Sequence, residues 1–500
     1  MKIPILSVVS FLLLCTNLHS QGLSNQFLLG YADTFDIYTS SAKARIDFNS
    51  GSPVVTSENR KMRFYETQGN ISDAQGNLLM SSNGVWIANA NGDTMMNGSG
   101  LSPGQFTDDY ADGLPIVNGC LIIPFPGSAQ QYVLFHMTAN YSYGLRASEL
   151  YYSIIDMTLD GGLGGVILKN QVAFQDTMSW GVGACRHANG RDWWIVALKD
   201  SSDIAYKILF TPDGIHSVAQ QHLGNSFYKV ASQLAFSPDG NKFAYSAGTG
   251  PPFYIESRLF DFDRCSGQFS NYIYIPLNDS HPAWSAAFSP DSKHLYVATT
   301  YHVFQINTDT TDVAASLDSV ATNDGYYSPA PPFLDSFYLL YLAPDGKIYI
   351  TSGNSVVDLH VIDSPDYPGI ACDVLQHSFH LPCYHSASVP NHPNYFLGPV
   401  AGSSCDSLFT SASEKEFISL QFNAYPVPAS GLVDINYSLE QNKTGMLRIF
   451  NVSGEQVYSQ MLPQWSTHQR ISIAGLPDGI YEAVLYSGYI KMNARIIISD

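Results

Sequence analysis

The chain reads as all-β: a body of about seven propeller blades followed by a small Ig-like β-sandwich. A strand–turn–strand signal returns every fifty or so residues. Aromatic residues are abundant, with 31 Tyr and 27 Phe among 500, as suits pleated, half-buried surfaces. Helical periodicity is nowhere sustained, which removes α-solenoids.

The repeat is clearest in three places. Phe236-Ser237-Pro238-Asp239-Gly240 leads into Asn241-Lys242-Phe243-Ala244-Tyr245, Phe288-Ser289-Pro290-Asp291-Ser292 into Lys293-His294-Leu295-Tyr296-Val297, and Leu342-Ala343-Pro344-Asp345-Gly346 into Lys347-Ile348-Tyr349-Ile350. Pro presets φ at the first central turn position, Asp bonds back to nearby amides, and Gly takes φ > 0 without steric cost. Fainter copies lie at Asp73–Leu79, Ile116–Cys120 and Ala188–Trp194. The intervals Gly190–Gly240, Gly240–Ser292 and Ser292–Gly346 are 50, 52 and 54 residues. A period near fifty with a hairpin per unit marks a propeller blade. The earlier intervals, 43 from Gly76 to Gly119 and then 71 to Gly190, are uneven and leave six or eight blades open.

The ends differ from the body. Met1-Lys2 is followed by an apolar stretch, Ile3–Cys15, and by Leu18-His19-Ser20, so residues 1–20 read as a secretory signal peptide. No other stretch is long and apolar enough for a transmembrane helix. The body spans 21–400, a small-residue linker 401–420, and alternating strands such as Leu447–Phe450 and Glu482–Leu485 fill 421–500.

Within that last segment, Tyr425-Pro426-Val427-Pro428, then Asn451-Val452-Ser453-Gly454-Glu455, then Leu476-Pro477-Asp478-Gly479-Ile480-Tyr481 fall in order before the final Arg495-Ile496-Ile497-Ile498. The segment resembles the type A C-terminal sorting domain of proteins exported by the type IX secretion system of Bacteroidetes. Val427 stands where that family usually has Asn. The resemblance implies that the export machinery recognises the domain, which is then removed, with the body released or held at the cell surface. The motif residues are Tyr425, Pro426, Pro428, Gly454, Pro477, Gly479 and Tyr481, with turn-forming and packing roles. Ile46–Pro53, Ile71–Leu79, Asn97–Leu101, Tyr152–Met157 and Leu259–Asp263 also resemble uncharacterised secreted Bacteroidetes proteins with YVTN- or WD40-like propeller repeats, which implies a fold and no activity.

Charge is −19, from 43 Asp+Glu against 24 Lys+Arg, which argues against nucleic acid as a partner. Six cysteines follow the signal peptide; their number and the export route permit disulfides. Only Cys372 and Cys383 are close enough in sequence to suggest a local pair.

Several constellations bear on chemistry. Gly100-Leu101-Ser102-Pro103-Gly104 matches G-x-S-x-G, but Pro103 lacks the N–H an oxyanion hole needs and the surroundings read as loop with no helix following. His377, His380, Cys383 and His385 are the densest run of metal-type donors, set in a segment with Pro382 and no ligand geometry readable from spacing. Asn307–Asp312 lacks the Gly and terminal Glu of a calcium loop. Asp108-Asp109 are read as loop acids. Trp193-Trp194, Tyr151-Tyr152, Tyr326-Tyr327, Tyr338 and Tyr341 can stack on sugars or fill blade cores, and adjacent Trp residues in a strand face opposite ways.

No catalytic, cofactor-binding or metal-binding residue is therefore assigned, and no cofactor is expected. The expected function is a secreted or surface binding and adhesion module for a glycan, peptide or protein. The alternative is a propeller enzyme of lyase, lactonase or glycosidase type.

Overall fold

In the computed structural model the described residues are 22–32, 39–224, 226, 233–247, 255–277, 279–329, 332–406, 422–437, 439, 444–463, 468–487 and 490–499. The expected signal peptide and most of the expected linker lie outside them. The chain divides into two compact units, Met1–Asp406 and Ser407–Asp500.

Among the described residues the first unit holds seven antiparallel sheets, met one after another along the chain. Their first strands are Gln26–Leu29, Gly69–Ser72, Cys120–Pro124, Gly183–Arg186, Leu234–Phe236, Ala283–Phe288 and Leu340–Leu342. The first two sheets have three strands and the other five have four, each strand hydrogen-bonded to the next in sequence.

Apolar side chains from both faces of these sheets meet in shared cores. Leu28 of the first sheet packs with Leu78 and Ala88 of the second. Ile71, Phe135 and Trp193 join the second, third and fourth. Val196 with Phe243, Ala244 with Phe288, and Ala298 with Ile350 carry the series from the fourth sheet to the seventh. Phe27 and Ile46 of the first sheet then pack with Tyr349 and Leu359 of the seventh. Sheets buried on both faces explain why Trp193 and Trp194 point opposite ways and are both buried.

The repeated turn works as its residues require. Ser237 Oγ donates to Asp239 Oδ1 (2.5 Å), Gly240 N donates to Ser237 O (2.8 Å), and Gly240 sits at φ 75°. Ser292 takes the same corner at φ 65°, which costs a residue with a Cβ about 1 kcal/mol. Its Oγ accepts from Asp239 N (3.2 Å) and ties the fifth sheet to the sixth. One expected copy is misplaced. Ile116–Cys120 leads into the first strand of the third sheet, and the turn equivalent to the others holds Gly127 (φ 77°). Counted through Gly127, the uneven intervals of 43 and 71 become 51 and 63.

The cysteines also depart from expectation. Cys265 is disulfide-bonded to Cys405, while Cys372 and Cys383 are free and buried. The strand Val374–His385 separates those two by roughly 30 Å of extended chain, far beyond disulfide reach. Residues 401–406 accordingly stay with the first unit.

The second unit has two antiparallel sheets, Phe422–Tyr425, Leu432–Tyr437 and His468–Ser472 in one, and Gly445–Asn451, Gln456–Leu462, Gly479–Ser487 and Ile490–Ile498 in the other. Val433, Ile435, Leu447, Ile449, Leu485 and Ile496 fill the core they share.

Candidate functional site

Beyond its last strand the first unit sends the segment Ser386–Val400 across the first strands of the other sheets. Asn391 Nδ2 donates to Cys120 O (3.0 Å) and Val182 O (2.8 Å), using both amide hydrogens. Asn394 Nδ2 donates to Pro238 O (2.6 Å), and Tyr395 OH to Ile122 O (2.9 Å). His392 Nε2 lies 2.9 Å from Asn70 O. A carbonyl only accepts, so Nε2 carries the proton and Nδ1 accepts from Tyr341 OH (2.9 Å). Burial pushes His392 down to about 4, which keeps the ring neutral in that tautomer. The segment then leaves past the fourth sheet, where Val400 N donates to Ala188 O, and Cys405 is bonded to Cys265.

Between this segment and the first strands of the fourth to seventh sheets lies a cavity of about 450 Å³. Its wall is mostly small or apolar: Ala235, Phe236, Ala286, Phe288, Leu342 and Pro393. Four of its polar side chains are already engaged. Gln233 accepts from Leu340 N (3.1 Å) and donates to Leu340 O (3.0 Å), while Asn391, His392 and Asn394 hold backbone carbonyls. Such a volume takes a small ligand or one group of a larger one. Both nitrogens of its one histidine, His392, are occupied.

At the beginnings of the first strands stand Trp284 of the sixth sheet and, just before their strands, Tyr338 of the seventh and Glu66 of the second. The Trp284 and Tyr338 rings lie 4.7 Å apart, and Trp284 Nε1 donates to Thr300 Oγ1 (3.2 Å). Burial pushes Glu66 up to about 7, and its charge helps raise the Tyr338 phenol.

The residues singled out in the sequence fall as follows. A short helix, Gln105–Asp109, does follow Ser102, correcting the expectation of loop alone; Ser102 bonds to His136 in the interior. The histidine run is dispersed. His380 Nδ1 meets Asp358 Oδ1 (2.8 Å), His385 Nε2 meets Asp358 O (2.7 Å), Cys383 is buried, and His377 joins Asp335 and His360 from other segments. In the Asn307–Asp312 turn, Asn307 Oδ1 accepts from Asp309 N and Asp312 Oδ1 from Ala315 N. Asp109 accepts from Tyr141 OH and Gln105 Nε2. Tyr151 and Tyr341 are buried, Tyr152 and Tyr338 half-buried, and Tyr326 and Tyr327 exposed. The segment Ser386–Val400 carries no sequence signal beyond its density of Pro and Asn.

In the second unit, Tyr481 is buried and its OH donates to Pro477 O (2.8 Å). Gly454 closes the Asn451 turn at φ 80°, its N donating to Asn451 O (2.9 Å), and Gly479 opens the strand that pairs with the chain's last one. Tyr425, Pro426 and Pro428 lie on the surface.

Comparison with known proteins gives three findings. No curated protein matches the chain in sequence. Among solved structures, a proposed 6-phosphogluconolactonase from Bacteroides fragilis is similar at 11% identity and TM-score 0.43, covering 74% of this chain and 98% of its own. A functionally unknown protein from Desulfotomaculum acetoxidans (13%, TM-score 0.39, 74% and 100%) and a proposed TolB from Agrobacterium tumefaciens (13%, TM-score 0.30, 75% and 94%) are also similar. Residues 423–499 match the family described as the Secretion system C-terminal sorting domain. Among the described residues no helix is long and apolar enough to cross a membrane. The chain thus ends in a type IX sorting domain, which implies interaction with that machinery and export to the cell surface or extracellular space.

Proposed function

We propose that the first unit is a closed seven-bladed β-propeller that works outside the cell as a binding module, and that the second is an Ig-like sandwich serving as its export label. The cyclic series of shared cores, ending with Phe27 and Ile46 against Tyr349 and Leu359, supports closure. The Tyr481–Pro477 bond, a tyrosine reaching back to the backbone beside a strand, supports the sandwich. The observation that carries binding is the axial cavity: about 450 Å³, lined by apolar and polar residues together, with its one imidazole held neutral and bonded on both sides. It suits an aromatic or aliphatic group borne by an extracellular peptide or glycan. Retention of the secreted protein on a peptide and glycan array, lost in Ala235→Phe with the fold intact, is the expected result. Chemical turnover of a retained compound by the wild type would reverse the reading.

Glu66 favours one second reading, an enzyme of glycosidase or lactonase type, because a carboxyl titrating near 7 suits a general acid. Turnover that survives Glu66→Gln would exclude it.

A further inference from the structure

Asp335, His360 and His377 reach one spot from three segments of the first unit. Asp335 lies in the connection between Asp318–Thr322 and Leu340–Leu342, His360 in the strand Val356–Ile362, and His377 in Val374–His385. A bulge brings the histidines together. Leu359 pairs with Phe379 and Val361 with Leu375, so His360 alone faces Gln376, His377 and Ser378. His377 pays with a left-handed backbone, φ 37°, the kind of strain that persists where surroundings enforce it.

The donor atoms are unusually bare. Asp335 and His360 side chains are 0% exposed, and His377 is 25% exposed. Among the described residues neither carboxylate oxygen of Asp335 accepts a hydrogen bond, and His360 Nε2 and His377 Nδ1 are buried without one. A buried carboxylate in that state is stabilised by a cation. One donor atom of each residue lies within 4.8 Å of the other two, and Asp335 Oδ1 to His360 Nε2 is 3.2 Å. Ligands about 2.1 Å from a tetrahedral ion stand roughly 3.4 Å apart, so the partly exposed His377 has about an ångström to close.

We propose that these three residues bind a divalent first-row transition ion, with the N₂O donor set of a zinc site that keeps a position open. Asp324 Oδ2 stands 3.2 Å from His377 Nε2. It accepts the Nε2 proton and leaves Nδ1 as the ligand, the carboxylate–histidine–metal arrangement. His360 Nδ1 accepts from His377 N (3.0 Å). Coordination through Nε2 moves the imidazole proton to Nδ1 and gives up that one bond, relaxing the bulge. The site departs from the sequence expectation of no metal, and it is separate from the axial cavity, so neither reading depends on the other.

Zinc is titrated into the tag-free, metal-stripped full chain against a chelating dye. One ion per chain and a raised unfolding temperature are expected. His377→Ala should keep the unfolding temperature of the metal-free protein and lose more than about 100-fold in affinity, and Asp324→Asn about 10–100-fold. His380→Ala should bind as wild type does, since that ring pairs with Asp358. Failure of the folded wild type to bind zinc stoichiometrically, or unchanged affinity in His377→Ala, overturns the proposal and leaves Asp335 and His360 as a structural pair.

Discussion

Ser102 Oγ lies 2.7 Å from His136 Nδ1, and neither side chain meets solvent. The serine sits in a G-x-S-x-G stretch at φ 48° with a helix behind it, so the local pattern of a hydrolase is more complete than its sequence suggests. Its surroundings decide otherwise. His136 Nε2 is held by Ser153 Oγ (3.0 Å) where a triad has a carboxylate, Asn170 Oδ1 accepts from Ser102 N (3.3 Å), and burial pushes His136 down to about 3. The pair is a buried polar brace. Ser102→Ala should leave ligand binding unchanged but should cost about 1–3 kcal/mol in urea unfolding, the cost of an orphaned partner. A serine-directed fluorophosphonate should leave the folded wild type unlabelled.

The same neutrality makes the body acid-sensitive. His136 and His392 are held near 3 and 4, against an ordinary 6.5. Above pH 6.5 both states are neutral and stability is complete. Below it the unfolded chain binds protons that the folded chain refuses, so stability falls as pH drops toward 4, by about 1.4 kcal/mol per unit for each ring. Urea midpoints measured from pH 7.5 to 4.5 should decline, and His392→Gln should shallow the slope by about one proton.

Glu66 acts in the opposite direction. Its folded value, about 7, exceeds the ordinary 4.5, so the folded state holds a proton that the unfolded state releases between them. Stability is complete below about pH 4.5 and diminishes as pH rises through 7. Glu66→Gln should raise the unfolding temperature at pH 8 and leave it unchanged at pH 4.

Cys265 and Cys405 close a loop of 140 residues. In the chain-entropy account such a closure is worth about 4–5 kcal/mol. Cys265→Ser with Cys405→Ser should lower the unfolding temperature and make Ser386–Val400 cleavable by protease, as limited digestion followed by mass spectrometry would read.

The recognition role of the second unit has its own test. Deleting 421–500 should leave the body in the periplasm, as fractionation would show, whereas normal surface delivery of that truncation would remove the export role from the domain.

What was legible in the sequence was local. Ser237, Asp239 and Gly240 carry their turn in their own chemistry, and the Pro477–Tyr481 bond spans four residues. What escaped was assembled at a distance. Gly127 is hidden because Asn118-Gly119 offers a stronger turn signal eight residues earlier. Asp335 and His360 gave no hint of a joint role because only a bulge at His377 brings the three together. The segment Ser386–Val400 is invisible in the sequence because Asn391 and His392 bond to carbonyls of Cys120, Val182 and Asn70, groups that every residue possesses.

Those bonds set a boundary on processing. The stretch bonded to the first strands is contributed by the last twenty residues of its unit, and Cys405 anchors it. Any peptidase that parts the label from its cargo has to cut beyond Cys405. A cut even a few residues earlier would part Ser386–Val400 from its disulfide anchor.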